Sequence, residues 1–396
     1  MNASLDPQAL ALAQRSVALP TGLLELTLDQ GAQEADALLG FAARANAKRG
    51  FLFLSKVLGK HWPVTPSTML AIHDRLAATV PAVEGAVVFI AMAETAIGLG
   101  QGVFEAWLRA HPGQPALFIH TTRYRVGNGP LIEFEEAHSH APRQFLHLPI
   151  ESALRALLLE ARTLVLVDDE ASTGNTFLNL TEACRRLNPG IDRVHLATIT
   201  NFMGAAATAG LGARFGLPVS MGALVSGQYR FTPGDYTAPA GEAQRFDPDA
   251  DRGASTRFGR LGLSGALPAA ETLAARLADD IAPGATVLVL GTGEFMHAGL
   301  LLAAALERRG VDVKVQSTTR SPILTWGAVG HALRFPDNYG EGVANFIYNV
   351  APGQYDHVLV CHETAVSPAL RELAGLLDAR LFHFLLEDHV EEVPVR

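Results

Sequence analysis

Short, continuous apolar runs recur along the first part of the chain: Ala86 to Ala91 (AVVFIA), Ala116 to His120 (ALFIH), Thr163 to Val167 (TLVLV) and Val194 to Thr200 (VHLATIT). Runs with no polar alternation are the mark of strands buried on both faces. Met69 to Thr79, Ile150 to Leu159 and Phe177 to Leu187 instead place apolar side chains at helical spacing. Strands alternating with helices predict a parallel sheet covered on both sides. Leu23 to Leu28 alternates Leu with Glu and Thr and reads as an edge strand. Residues 1–20 read as a short helix or arm, and Pro218 to Phe231 as a strand hairpin able to cap a site.

The alternation stops in residues 238–266, which are rich in Gly, Ala, Asp, Arg and Pro and read as a linker. It divides a domain of residues 20–237 from one of 267–396. In the second, Ala270 to Asp280 is a helix, Ala285 to Leu290 a strand, His297 to Arg308 a helix and Val311 to Gln316 a strand, which together make a βαβ unit. His357 to Cys361 is a further strand, and Leu381 to Leu386 is read as closing the sheet. The turn Gly291-Thr292-Gly293 begins as a dinucleotide fingerprint would. Met296 stands at the third glycine position, however, and Val315-Gln316 ends the next strand without an acid, which weakens the dinucleotide reading and leaves a small phosphate or a ribose-phosphate group open. Thr319, Arg320 and Ser321 follow at a strand's carboxyl end, where open α/β sheets take ligands. With Gly291, Thr292 and Gly293 they form a candidate second-domain ligand site.

A chain of 396 residues with 48% apolar and 18% charged residues can build two large cores, and its net charge of −9 argues against a nucleic-acid surface. Cys184 and Cys361 lie far apart in apolar contexts and read as reduced thiols, which suggests the cytoplasm. The first residues lack a signal-peptide pattern, and no run reaches the ~18 apolar residues of a membrane span.

The densest chemistry begins at Thr163. After that apolar strand come Asp168 and Asp169, then the small polar run Ala171, Ser172, Thr173, Gly174, Asn175 and Thr176, then a helix. Amides of such a loop and the helix N-terminus can converge on one anion. The two acids suit ribose hydroxyls or a divalent cation beside that anion. A capped βα turn with surface acids is the plainer alternative. Arg44, Lys48, Arg49, Lys56, Lys60 and His61 cluster in an otherwise acidic chain and fit a polyanion site. Met92 to Gly100 is a small-residue loop after a central strand, and Glu94 in it requires a metal or a hydrogen-bonding task. Thr121 to Ala141 is a long polar insertion in which Arg123 and Arg125 are candidate anion contacts. Its Glu135, Glu136, His138 and His140 could ligate zinc, although hydrogen bonding or a solvated loop outweighs that reading.

The segment 163–176 resembles the phosphoribosyl pyrophosphate (PRPP) signature of type I phosphoribosyltransferases. The resemblance implies that family's fold, a parallel sheet flanked by helices with a hood, plus a smaller Rossmann-like α/β domain behind it. It implies that Asp168 and Asp169 hold the ribose hydroxyls with Mg2+ and that 171–176 hold the 5′-phosphate. Ala93, Glu94, Thr95, Ala96 and Lys60 would bind pyrophosphate, with Lys56 and Arg123 joining the aspartates in catalysis under a hood loop at 121–141.

The second half resembles the TRSP domain, named for Thr319-Arg320-Ser321-Pro322 and found behind phosphoribosyltransferase domains in proteins of tellurite-resistance (ter) gene clusters. The runs Ser55–His61, His138-Ser139-His140 and Gly291–Phe295 are similar to that pairing as well. The expectation is PRPP-dependent transfer of 5-phosphoribosyl to a nitrogen base or base-like acceptor, with pyrophosphate released, in a nucleotide-like metabolite or stress-response pathway, by a homodimer. The alternatives are a regulatory protein that binds PRPP or a nucleotide without turnover, and a second domain that acts on the product.

Overall fold

The computed structural model describes residues 14–44, 49–135, 143–236 and 252–395. Gln14–Leu19 (β1) and Gly22–Gln30 (β2) form an antiparallel pair joined by a tight turn. Residues 14–19 are therefore strand, not the helix or arm expected of 1–20. A short helix, Ala35–Leu38 (α1), leads into the hairpin Leu39–Ala43 (β3) and Phe51–Ser55 (β4). The alternating part follows: Pro66–Ala77 (α2), Val87–Ala91 (β5), Ile97–Ala110 (α3) and Ala116–His120 (β6). A second hairpin, Leu131–Glu135 (β7) with Arg143–His147 (β8), interrupts it. Then come Ser152–Glu160 (α4), Thr163–Ala171 (β9), Asn175–Leu187 (α5), Arg193–Asn201 (β10), Ala205–Ala209 (α6), Leu211–Phe215 (α7) and Val219–Pro233 (β11).

These strands build a seven-stranded sheet in the order β1-β2-β11-β10-β9-β5-β6. From β6 to β11 all neighbours are parallel, and β2 joins β11 antiparallel. Alternate side chains of one strand serve opposite cores. Phe89, Ala91, Val165 and Val167 pack into the core under α3, while Val88, Ile90, Leu164 and Leu166 pack on the other face. Burial on both faces is why these strands read as unbroken apolar runs. Two sequence expectations change. β2 is an inner strand, because β1 covers its outer edge. Val219–Pro233 is one long strand and not a hairpin; its register shifts at Ser226/Gly227, and a Cβ on Gly227 would lie 2.2 Å from Thr27 O. Gly227 marks a bulge in that strand.

The C-terminal part adds Glu271–Asp280 (α8), Thr286–Gly291 (β12), His297–Glu307 (α9), Asp312–Ser317 (β13), the hairpin Ala332–Pro336 (β14) with Ala344–Tyr348 (β15), His357–His362 (β16), Pro368–Leu377 (α10), Ala379–Phe384 (β17) and Val390–Val393 (β18). Its five-stranded sheet runs β13-β12-β16-β17-β18, parallel except for β18. The run at 381–386 thus belongs to an inner strand, and β18 closes the sheet. The described part of the stretch read as linker is packed: Leu263 exchanges two 2.8 Å backbone hydrogen bonds with Phe118 of β6, and Arg260 is 1% exposed. Val64 and Val315 make a second bridge between the halves, at 3.1 and 2.7 Å. Among the described residues no helix is long and apolar enough to cross a membrane. Cys184 and Cys361 are free and buried.

Candidate functional site

In the main sheet the order β6-β5-β9-β10-β11 reverses direction between β5 and β9. The crevice beyond the carboxyl ends at such a reversal is where doubly wound sheets bind ligands. Ala91 is the last residue of β5 and pairs with Val167, so Asp168 and Asp169 stand just past that point on β9, both half-buried. Asp169 N–H donates to Asp168 Oδ1 at 2.9 Å. Met92 N–H donates to Val167 O at 3.0 Å, which puts the loop after β5 directly beside the acids.

The loop from Ala171 ends at Gly174, whose φ of +71° only glycine adopts cheaply, and α5 starts with Asn175 without a side-chain cap. Ala171 is pinned by Phe202 N–H at 2.7 Å. Arg214 donates to Thr173 O at 2.5 Å and to Asn175 Oδ1. Ser172, Asn175 and Thr176 are half-buried and Thr173 is exposed. The amide end of α5 therefore opens beside the two aspartates, the arrangement for one anion next to a polyol.

The opposite wall is the segment Ala93–Ala96. Ala93 N–H donates to Thr121 Oγ1 at 2.8 Å, Gln144 Nε2 donates to Ala93 O at 3.2 Å, and Thr121 Oγ1 donates to Gln144 Oε1 at 2.6 Å. The Ala93–Glu94 peptide bond is cis. Glu94 has the task the sequence could not name: Lys60 Nζ lies 2.7 Å from one carboxylate oxygen and Arg320 Nε donates to the other at 3.1 Å. Burial opposes its charge, yet Lys60 and Arg320 hold its carboxyl down to about 2. Arg123 acts on Glu94 through its charge, and its backbone N–H donates to Glu294 Oε1 at 2.9 Å.

The basic cluster is divided among several partners. Lys60 is fully buried and donates to Gly293 O at 2.9 Å. Arg44 donates to Ser321 Oγ at 3.0 Å, and Arg49 pairs with Glu170. Lys56 donates to Asp36 O at 2.9 Å and lies 5.9 Å from the Trp62 ring, contacts that are not with the acid pair. Burial drives the His61 imidazole down to about 3, so it carries no charge at neutral pH. Lys48, Glu136, His138 and His140, and with them most of the set read as zinc ligands, lie outside the described residues. Glu170 escaped notice in the sequence. Burial pushes its carboxyl up, with Arg49 pulling against it, and Arg44 and Asp169 act on it as well.

The protein family described as "Phosphoribosyl transferase" matches residues 38–228, and that described as "TRSP domain C terminus to PRTase_2" matches residues 255–380. The chain belongs to the phosphoribosyltransferases that carry a TRSP domain. Phosphoribosyltransferases are pentosyltransferases, enzymes of the glycosyltransferase class. No curated protein matches the sequence. Among solved structures it is similar to the adenine phosphoribosyltransferase of Trypanosoma brucei, in complex with AMP, pyrophosphate and ribose-5-phosphate, at 12% identity and a TM-score of 0.34 over 48% of this chain and 78% of that one. It is similar also to the enzyme of Giardia lamblia complexed with 9-deazaadenine, at 16% identity and a TM-score of 0.33 over 48% and 96% of the two chains.

The TRSP tetrapeptide lies against the transferase domain. Thr319 exchanges backbone hydrogen bonds with Phe346 at 3.0 and 2.6 Å, Arg320 reaches Glu94, and Ser321 accepts from Arg44. Gly291, Thr292 and Gly293 are buried in a turn closed by Thr292 and Phe295, and Gly293 O accepts from Lys60. The residues proposed as a separate ligand site are thus gathered at the contact with the transferase domain.

Proposed function

We propose that the chain transfers the 5-phosphoribosyl group of PRPP to a nitrogen base or base-like acceptor and releases pyrophosphate. One observation carries this reading: Asp168 and Asp169, the amide end of α5 and the loop 93–96 converge at the reversal between β5 and β9. The amides of 171–176 receive the 5′-phosphate, with Ser172, Thr173 and Thr176 hydroxyls able to donate. The carboxylates accept hydrogen bonds from the ribose hydroxyls. Half-buried paired carboxylates also fit Mg2+, which prefers hard oxygen ligands and would neutralise charge on the pyrophosphate. Ala93, Glu94, Thr95 and Ala96 form the wall beside the leaving pyrophosphate, with the backbone of Ala93 fixed by Thr121 and Gln144. Asp168 and Asp169 stabilise the cationic character that develops on the sugar as the bond to pyrophosphate lengthens, and positioning supplies the rest of the gain. The TRSP tetrapeptide's resemblance leads us to infer a nucleotide-like product.

The commitments of Lys56 to Asp36 and of Lys60 to Glu94 favour a second reading, a PRPP-binding regulator without turnover. Incubation with PRPP, Mg2+ and a panel of bases separates the two, because turnover releases pyrophosphate and binding alone does not. In the first reading Asp168→Asn loses pyrophosphate release by about 100-fold or more while its melting curve stays native. Undiminished release in that variant would falsify the assignment.

A further inference from the structure

The TRSP domain's own sheet reverses order between β12 and β16, which should open a ligand crevice there. Arg260 fills it. Its guanidinium lies 2.6 and 2.7 Å from the two oxygens of Glu363 and 3.1 Å from Glu294 Oε2, and Tyr339 Oη donates to Glu363 at 2.8 Å. The carboxylates on either side of the crevice are thus engaged by the chain itself. What the carboxyl ends of β12 and β13 present beyond it meets the transferase domain. Glu294 accepts from Thr122 Oγ1 at 2.6 Å, and Arg320 donates to Glu94 at 3.1 Å.

The geometry points to Arg320 as a ligand of the pyrophosphate group of PRPP, so that the TRSP domain completes the transferase site. This rests on the transferase reading given above. Arg320 Nε is on Glu94, a member of the loop at 93–96, and Nη1 is on Glu341. Nη2 is buried and has no hydrogen-bond partner among the described residues. A buried guanidinium corner without an acceptor is costly, and the planar fork suits a phosphate oxygen. The Tyr124 ring lies 5.7 Å from the guanidinium carbon and backs it from the segment after β6. Lys60 approaches Glu94 from the other side at 2.7 Å, so two cations flank the one carboxylate of that loop. The neighbouring Ser321 accepts from Arg44, whose charge acts on Glu170. Consecutive residues of the tetrapeptide therefore reach both the pyrophosphate wall and the acidic end of β9.

Calorimetric titration of the full chain with PRPP, pyrophosphate and ribose 5-phosphate, all with Mg2+, tests this. Arg320→Gln should weaken PRPP and pyrophosphate by about tenfold or more, the loss of one charge-assisted hydrogen bond, and leave ribose 5-phosphate as in the unaltered protein. Equal weakening of all three ligands makes Arg320 merely structural, and unchanged PRPP affinity shows no contact; either result overturns the inference while the transferase reading stands. An unaltered protein that binds none of the three sinks both. If Arg320→Gln does not fold, Arg320→Lys is read with the same ligands. Its shorter point donor should still bind PRPP and pyrophosphate more weakly than the native fork, and ribose 5-phosphate equally well.

Discussion

Glu341 shows how the packing around one side chain sets its charge. It is buried against Arg320, and burial pushes its carboxyl up to about 7, with Arg320 pulling down and Asp337 and Glu294 pushing further up. The unfolded chain releases this proton near the ordinary 4.5, the folded chain only near 7. Between those values the folded state binds more protons, so stability falls as pH rises and levels off above the folded value. Glu341→Gln has no proton to release there. Its melting temperature should fall less between pH 5 and pH 8 than that of the native protein, and parallel curves would remove Glu341 as the cause. Residue identity alone drew attention to Asp168 and Asp169, because paired acids before a small polar loop are an uncommon combination. Glu94, Glu341 and Arg320 were not readable together, because Glu94 precedes Arg320 by most of the chain and only folding supplies the partner.

At the level of elements, the loop at 93–96 is held by what surrounds it. α3 starts right after it and presses on β5 so closely that a Cβ on Gly100 would lie 2.4 Å from Ala91 Cβ and 3.4 Å from Val167 Cβ. Gly100→Val should force α3 away from the sheet and lower stability by about 1–3 kcal/mol, as overpacking does. The urea midpoint would report it, and PRPP affinity should drop with it because the loop moves. A midpoint within about 0.5 kcal/mol of native would show that the contact relaxes at little cost. The buried strands β5, β6, β9, β10, β12 and β16 were legible because burial on both faces demands continuous apolar residues. β11 was misread for the opposite reason, since Gly227 serves a bulge and the strand carries polar residues where it emerges. The hairpin β14–β15 and helix α10 left no pattern strong enough to be read, although Ser367 caps α10 by accepting from Leu370 N–H at 3.3 Å.

Across the whole molecule, the two sheets are locked by buried charges, each of which would lack a partner if the other domain were missing. Removing one partner of such a buried network costs about 3–5 kcal/mol. Arg320 with Glu94 at 3.1 Å, Glu105 with His297 at 3.0 Å, and the bridge from Phe118 to Leu263 all cross the boundary. Calorimetry should therefore show one cooperative transition for the full chain, and two resolved transitions would mean the halves fold independently. Local order decided a great deal here without any tertiary help. Apolar periodicity specifies two α/β sheets, and the acid pair with its small-residue loop specifies a strand end that passes through a tight turn into a helix, because both depend on neighbours within a few residues. Which cations face the loop at 93–96, and that the tetrapeptide meets the first domain, depended on bringing distant chain segments together, where desolvation and charge pairing select partners that spacing along the chain does not encode.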